Sequence, residues 1–186
     1  SSDVCSSDLI DQPRSVGLVL GVYASVRREL GLPLAFPGTE RAFAARVQFT
    51  DLDLLTRAIA WMLHEPRCAG LAFDVVNGDH PTWASLWRAI AAYFDLPCGD
   101  PETFSLAATM REHSELWRRM QRRYALRESA LESLALWSYG DNLFRPDWDV
   151  VSTMARARSL GFVERVDSTA MFRRLFSSYR AARIIP

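Results

Sequence analysis

Apolar residues from Val16 to Leu30 fall at helical spacings and give way to charge, with Gly31 next as a stop, so the pattern predicts a first helix. The stretch Pro33-Leu-Ala-Phe-Pro-Gly38 predicts a short extended piece closed by a Pro-Gly turn. Arg46-Val-Gln-Phe-Thr50 alternates and is rich in β-formers, which predicts a brief strand. Leu52, Leu55, Ile59 and Met62 or Leu63 then recur at helical spacing, with Thr50 or Asp51 as the cap and Pro66 as the end. Ala69 to Val76 is almost continuously apolar, as in a strand buried on both faces, and Asn77-Gly-Asp79 closes it. A helix over about 81–94 follows, with Pro81 near its first turn. Strand, helix, strand, helix with short links predicts the edge of a parallel α/β sheet.

From Pro97 onward the pattern turns helical, over about 103–111, 114–124, 128–139, 150–160 and 168–182. Gly140, Pro146 and Gly161 separate the last three, and Trp117, Trp137 and Trp148 are spaced to pack between helices. No repeat period is present. The expected fold is α/β, a few parallel strands followed by a mostly helical region, with residues 10–100 and 101–186 as its two parts. Two short parallel strands cannot stand alone, because a parallel pair needs its faces and edges covered, so the chain reads as the second half of something larger.

Composition narrows the chemistry. The chain has 186 residues with 22 basic and 22 acidic side chains, so no net field steers it to nucleic acid or to an anionic membrane. Every basic residue is Arg, which removes each mechanism that needs a Lys amine, including the Tyr-x-x-x-Lys pair of short-chain dehydrogenases. Cys5, Cys68 and Cys98 are widely spaced, and with His64, His80 and His113 they predict no metal cluster and reduced thiols in a cytoplasmic setting. Residues 1–9, SSDVCSSDL, lack helical or strand period and the build of a signal peptide; they resemble a translated sequencing-adapter scar, which would place the native start near Ile10.

Several motifs then come in one family's order: Val22-Tyr-Ala24, Pro37-Gly38, Phe49-Thr-Asp51, Phe73-Asp-Val-Val-Asn-Gly-Asp79 and the final Arg183-Ile-Ile-Pro186. Trp137 to Asp141 (Trp-Ser-Tyr-Gly-Asp) and Ser159 to Phe162 (Ser-Leu-Gly-Phe) support them. From Val16 to Pro186 the chain resembles the C-terminal half of the progesterone 5β-reductase/iridoid synthase-like proteins, atypical extended short-chain dehydrogenases. The resemblance implies a Rossmann-type domain that binds NADP(H), a helical substrate-binding region, and hydride transfer to a small apolar enone or carbonyl compound. It also implies a Tyr and a Lys that polarise the carbonyl oxygen. The nine Gly never spell a Gly-rich phosphate turn, and without Lys the catalytic pair cannot exist here. The expectation is a parent reductase and a chain that alone is inactive and binds no cofactor strongly.

The resemblance places the cofactor's nicotinamide end near Gln12, Pro13 and Ser15, and the substrate near Val22, Tyr23 and Tyr139, with no catalytic or metal-binding residue. Tyr139 could equally pack between helices, and Val22 and Tyr23 could be plain core. Asn77-Gly78-Asp79 is better explained as a tight turn whose Asp caps the following helix. Glu112 with Glu115, and Asp147 with Asp149, suit solvated helix ends, and Arg118, Arg119, Arg122 and Arg123 a salt-bridged face. Two other readings stay open: a piece of an extended short-chain epimerase or dehydratase acting on nucleotide sugars, and a helical interaction module without enzymatic activity. A homodimer is compatible with each.

Overall fold

The computed structural model describes residues 15–186. Helix α1 (Val16–Glu29) starts at Ser15, whose Oγ accepts from the Leu18 amide, and ten consecutive residues from Gly17 to Val26 are buried. Its two flanks are both covered, which is why the helix is apolar nearly all round. Strand β1 (Leu34–Phe36) is fully buried and pairs in parallel with β2 (Cys98–Pro101). The register runs Leu34 to Cys98 and Phe36 to Pro101, with a shift between them. Strand β2 was illegible because its residues, Cys-Gly-Asp-Pro, lack apolar alternation; backbone pairing holds it to β1, with the Leu34 amide donating to Pro97 at 2.9 Å and the Glu102 amide to Phe36 at 2.8 Å.

The other helices are α2 (Glu40–Ala44), α3 (Leu52–His64), α4 (Trp83–Tyr93), α5 (Leu106–Glu112) and α6 (Ser114–Tyr124). They are followed by α7 (Leu131–Leu134), α8 (Trp137–Leu143), α9 (Ala155–Ser159) and α10 (Ser168–Ala181). Helices α1 and α4 pack on the sheet, α10 packs on both of them, and one core runs from Leu18 to Ile185. Phe36 lies at its middle, ringed by Phe43, Trp83, Trp87 and Phe144 at centroid distances of 5.0 to 6.0 Å. A smaller cluster joins Leu54 and Ala58 of α3 to Val76, Met154, Ala157 and Phe162.

Several expectations need correcting. Residues 46–50 form no strand: a single antiparallel bridge joins Arg46 to Thr82. The Val47 amide donates to Pro81 and the Trp83 amide to Ala45, and Pro81, having no N–H, cannot extend the ladder. Helix α4 begins at Trp83 with Thr82 as its cap, so Pro81 lies just before the cap. The run Ala69–Val76 is not a strand and not buried on both faces, since among the described residues no neighbouring strand pairs with it. On α3 the inward residues are Leu54 and Ala58, with Trp61 and Met62 beside them, whereas Leu52, Ile59 and Leu63 of the expected stripe are exposed. The 128–139 helix breaks at Ala135, which is extended at φ −139° and ψ 142°. Helix α8 therefore starts only at Trp137 and carries Gly140 inside it. The 150–160 helix begins at Ala155, because residues 150–152 are held extended by bonds to Arg46 and Gln48.

Candidate functional site

A groove of about 270 Å³ opens between three sequence-distant pieces: Val47 to Phe49, Trp83 at the start of α4, and the span from Tyr139 on α8 to Val150. Its floor is rigid. The Phe49 ring meets Trp83 edge-on at 5.7 Å, and Trp83 meets Phe144 at 4.9 Å. Helix α8 is fixed by the residues of its own motif. Trp137 Nε1 donates to the Leu131 carbonyl at 2.9 Å. Gly140 lets α8 approach α1 and α5 closely, since a Cβ there would stand 3.0 Å from both Val19 Cγ1 and Leu106 Cδ1. Asp141 caps α5, its Oδ1 accepting from the Leu106 amide at 2.6 Å and its Oδ2 from Ser105 Oγ at 2.8 Å. The half-buried Tyr139 is left to face the groove, and its hydroxyl has no hydrogen bond among the described residues.

The outer wall is irregular chain. The Val150 amide donates to the Arg46 carbonyl at 2.9 Å, the Arg46 amide donates to Asp149 Oδ1 at 2.8 Å, and the Ser152 amide donates to Gln48 Oε1. Trp148 hangs over the opening with 63% of its surface exposed, not packed between helices as its spacing suggested. Asp147 and Asp149 lie on this wall and not at helix ends, Asp147 facing Arg41 at 3.5 Å. The lining is aliphatic and aromatic apart from the amides of Gln48 and Asn142 and the Tyr139 hydroxyl, and among the described residues no carboxylate, imidazole, thiol or guanidinium takes part. Such a surface is chemically suited to a small apolar molecule with one polar end.

The remaining expected site residues lie elsewhere. Gln12 and Pro13 fall outside the described residues. Ser15 caps α1 and lies 3.1 Å from the Tyr179 hydroxyl, so its side chain is engaged with α10. Val22 and Tyr23 are buried in the main core and do not line the groove; Tyr23 donates its hydroxyl to the Ala35 carbonyl at 2.9 Å, and burial pushes its phenol above the ordinary range. Of the groove residues, Val47, Phe49, Trp83, Trp148 and Val150 carried no signal in the sequence, because aromatic and β-branched residues there match core spacing equally well.

Asn77-Gly78-Asp79 does structural work across the chain. Asn77 Oδ1 accepts from the Asp51 amide at 2.7 Å and its Nδ2 donates to Ser168 Oγ at 3.0 Å. Gly78 turns the chain at φ +86°. Asp79 caps α10, accepting from the Ser168 amide and hydroxyl, and not the helix that follows it. Among the described residues no group of His, Cys, Asp and Glu is placed to hold a metal. No described helix is long and apolar enough to cross a membrane.

The family model for the PRISE-like Rossmann-fold domain matches residues 4–186. The chain belongs to the PRISE-like family. Among its curated relatives, the 3-oxo-Delta(4,5)-steroid 5-beta-reductase of Arabidopsis thaliana is 26% identical over 90% of this chain and 44% of its own length. An (S)-8-oxocitronellyl enol synthase of Nepeta racemosa is 27% identical over 90% of this chain and 43% of its own. A short chain dehydrogenase of Penicillium aethiopicum is 26% identical over 92% and 50%. The PRISE-like chain thus spans about half or less of the length of these relatives. Its fold class is that of a Rossmann-type oxidoreductase family, seen here as helices around a small two-stranded parallel sheet.

The dinucleotide that the family implies does not fit the described residues. The groove lacks the basic side chains and Gly-rich backbone that hold phosphates, and the Ser15 hydroxyl at the start of α1 is already occupied.

Proposed function

We propose that this chain is the substrate-binding part of an NAD(P)H-dependent reductase of the PRISE-like family, and that the cofactor turn and the catalytic Tyr/Lys pair belong to a preceding half. In that reading residues 10–100 bring the outer sheet edge and residues 101–186 the helical substrate lobe. The observation that carries it is the apolar groove with the unengaged Tyr139 hydroxyl at its wall. The substrate class is a small apolar enone or carbonyl compound: the ring system or alkyl chain lies against Phe49, Trp83, Leu143 and Trp148, and the polar end meets Tyr139 or the Asn142 amide. This chain's own residues bind and orient; no hydride-transfer step is assigned to them, and the whole protein uses NADP(H). Absence of any basic side chain from the lining supports an apolar substrate over a nucleotide sugar, whose diphosphate would need one.

Trp83 and Trp148 make the test optical. A Δ4-3-oxosteroid should quench the chain's Trp fluorescence saturably, and Trp148→Ala together with Tyr139→Ala should weaken that binding about tenfold, equivalent to about 1.4 kcal/mol. NADPH should produce no saturable change. Tight NADPH binding by the chain alone, or unaided reduction of an enone, would overturn the reading.

A further inference from the structure

The polar groups that Gln48, Asn142 and Tyr139 bring to the groove differ in how they are held. Asn142 is exposed, and no hydrogen bond among the described residues fixes which end of its carboxamide faces the groove. The Tyr139 hydroxyl, equally unengaged, both donates and accepts. Gln48 is different. Its Oε1 accepts from the Ser152 amide on the outer wall. A backbone N–H only donates, so the atom facing it must be the oxygen and the carboxamide has a single sense. Its Nε2 is left with its N–H donors and no acceptor among the described residues.

The backbone that carries Gln48 is pinned on both sides. The Val47 amide donates to the Pro81 carbonyl at 2.9 Å, and the Phe49 carbonyl accepts from the Asn77 amide at 2.8 Å. Val47 and Phe49 are buried and Gln48 is half-buried, so its side chain reaches the groove from a fixed base. A donor held this way discriminates between ligands. A hydrocarbon laid over it strips water from the N–H and returns no bond, which costs the desolvation of that donor. A ligand oxygen in the same place restores the bond, and apolar surroundings make it stronger than in water. A carbonyl oxygen has two lone pairs, enough for Gln48 together with Tyr139 or Asn142.

We propose that Gln48 is the specificity-determining residue of the groove. Its Nε2, aimed by the Ser152 amide, makes the groove select an apolar ligand that ends in a ketone or aldehyde oxygen over a hydrocarbon of the same shape. The proposal rests on the reading of the groove as a substrate site and names the residue that reads the oxygen. Ser152 acts through Gln48, as the group that sets its orientation. A Gln48 that merely fastened the outer wall would need its oxygen alone, so the two ends of the carboxamide carry separable roles.

The test uses the full 186-residue chain and two ligands, a Δ4-3-oxosteroid and its 3-deoxy counterpart, with binding read by Trp fluorescence and folding by thermal melting. Gln48→Glu keeps an oxygen for the Ser152 amide and replaces the NH2 with a second oxygen, whereas Gln48→Leu removes both. The unsubstituted chain should prefer the ketone by at least about tenfold, and Gln48→Glu should narrow that ratio about tenfold without lowering the melting temperature. Gln48→Leu should narrow it as much while also loosening the wall. A second measurement needs no substitution: the ketone should shift the NMR signals of the Gln48 side-chain N–H groups, and the 3-deoxy compound should not. A folded Gln48→Glu that keeps the full ratio overturns the proposal and leaves the groove reading standing. Equal affinity of the unsubstituted chain for the two ligands, or Gln48 N–H signals that the ketone leaves in place, has the same consequence. No saturable quenching by either ligand sinks the groove reading and the proposal together.

Discussion

Asn77 concentrates more long-range bonding than any catalytic guess about its motif would suggest. Its fully buried amide bridges the Asp51 amide before α3 and Ser168 at the head of α10. Asp51 in turn caps α3 through Leu54 and receives Arg174 from α10. Asn77→Ala leaves a buried N–H without an acceptor and a hydroxyl without a donor, so we expect a loss of about 2–3 kcal/mol, measured by urea unfolding. An exposed pair sets a different kind of expectation. The Arg67 guanidinium and amide hydrogen-bond the Glu65 carboxylate and hold its pKa down to about 2. A carboxyl depressed in the folded state contributes stability above its unfolded pKa, and that contribution fades as pH falls from the ordinary carboxylate range towards about 2. An NMR titration should find the Glu65 midpoint near 2, and Arg67→Ala should return it towards the usual value.

The elements differ sharply in how legible they were. Helices α1, α6 and α10 follow from apolar periodicity and their stops, because each buries one continuous stripe or, for α1, nearly every face. What failed was governed by distant partners. Strand β2 exists because β1 lies beside it, and the 69–76 run is no strand because no strand among the described residues lies beside it. Similarly, α8 starts late because its place is set by Trp137, Gly140 and Asp141, three contacts to other elements. Within the candidate site, Tyr139 lines the groove, and the groove's other walls come from loops whose aromatic residues look like core in one dimension. The α8–α5 junction gives a direct prediction. Asp141→Ala removes the acceptor of the Leu106 amide and of Ser105 Oγ, which should cost about 1–2 kcal/mol in thermal or urea unfolding and loosen the groove wall that carries Tyr139.

At the scale of the whole molecule, the sheet is too small to organise the chain, and the aromatic cluster around Phe36 does so instead. It gathers side chains from β1, α2, α4 and the end of α8, so residues far apart in sequence share one core. Phe36→Ala should therefore cost about 3–5 kcal/mol and lower the unfolding midpoint seen by every probe alike. The groove stands on this cluster and shares Trp83 with it. Phe144, at the foot of the outer wall, is buried to 1%, while Trp148 a few residues on is mostly exposed. Hydrogen bonds fix the wall between Asp149 and Ser152: Val150 to the Arg46 carbonyl, Arg46 to the Asp149 carboxylate and Ser152 to the Gln48 amide oxygen. Rim side chains outside these bonds, Trp148 above all, can be traded for larger or smaller ones at little expense to folding. Within such a family, diversification towards new molecules has an inexpensive place to begin: the rim changes and the foundation is inherited.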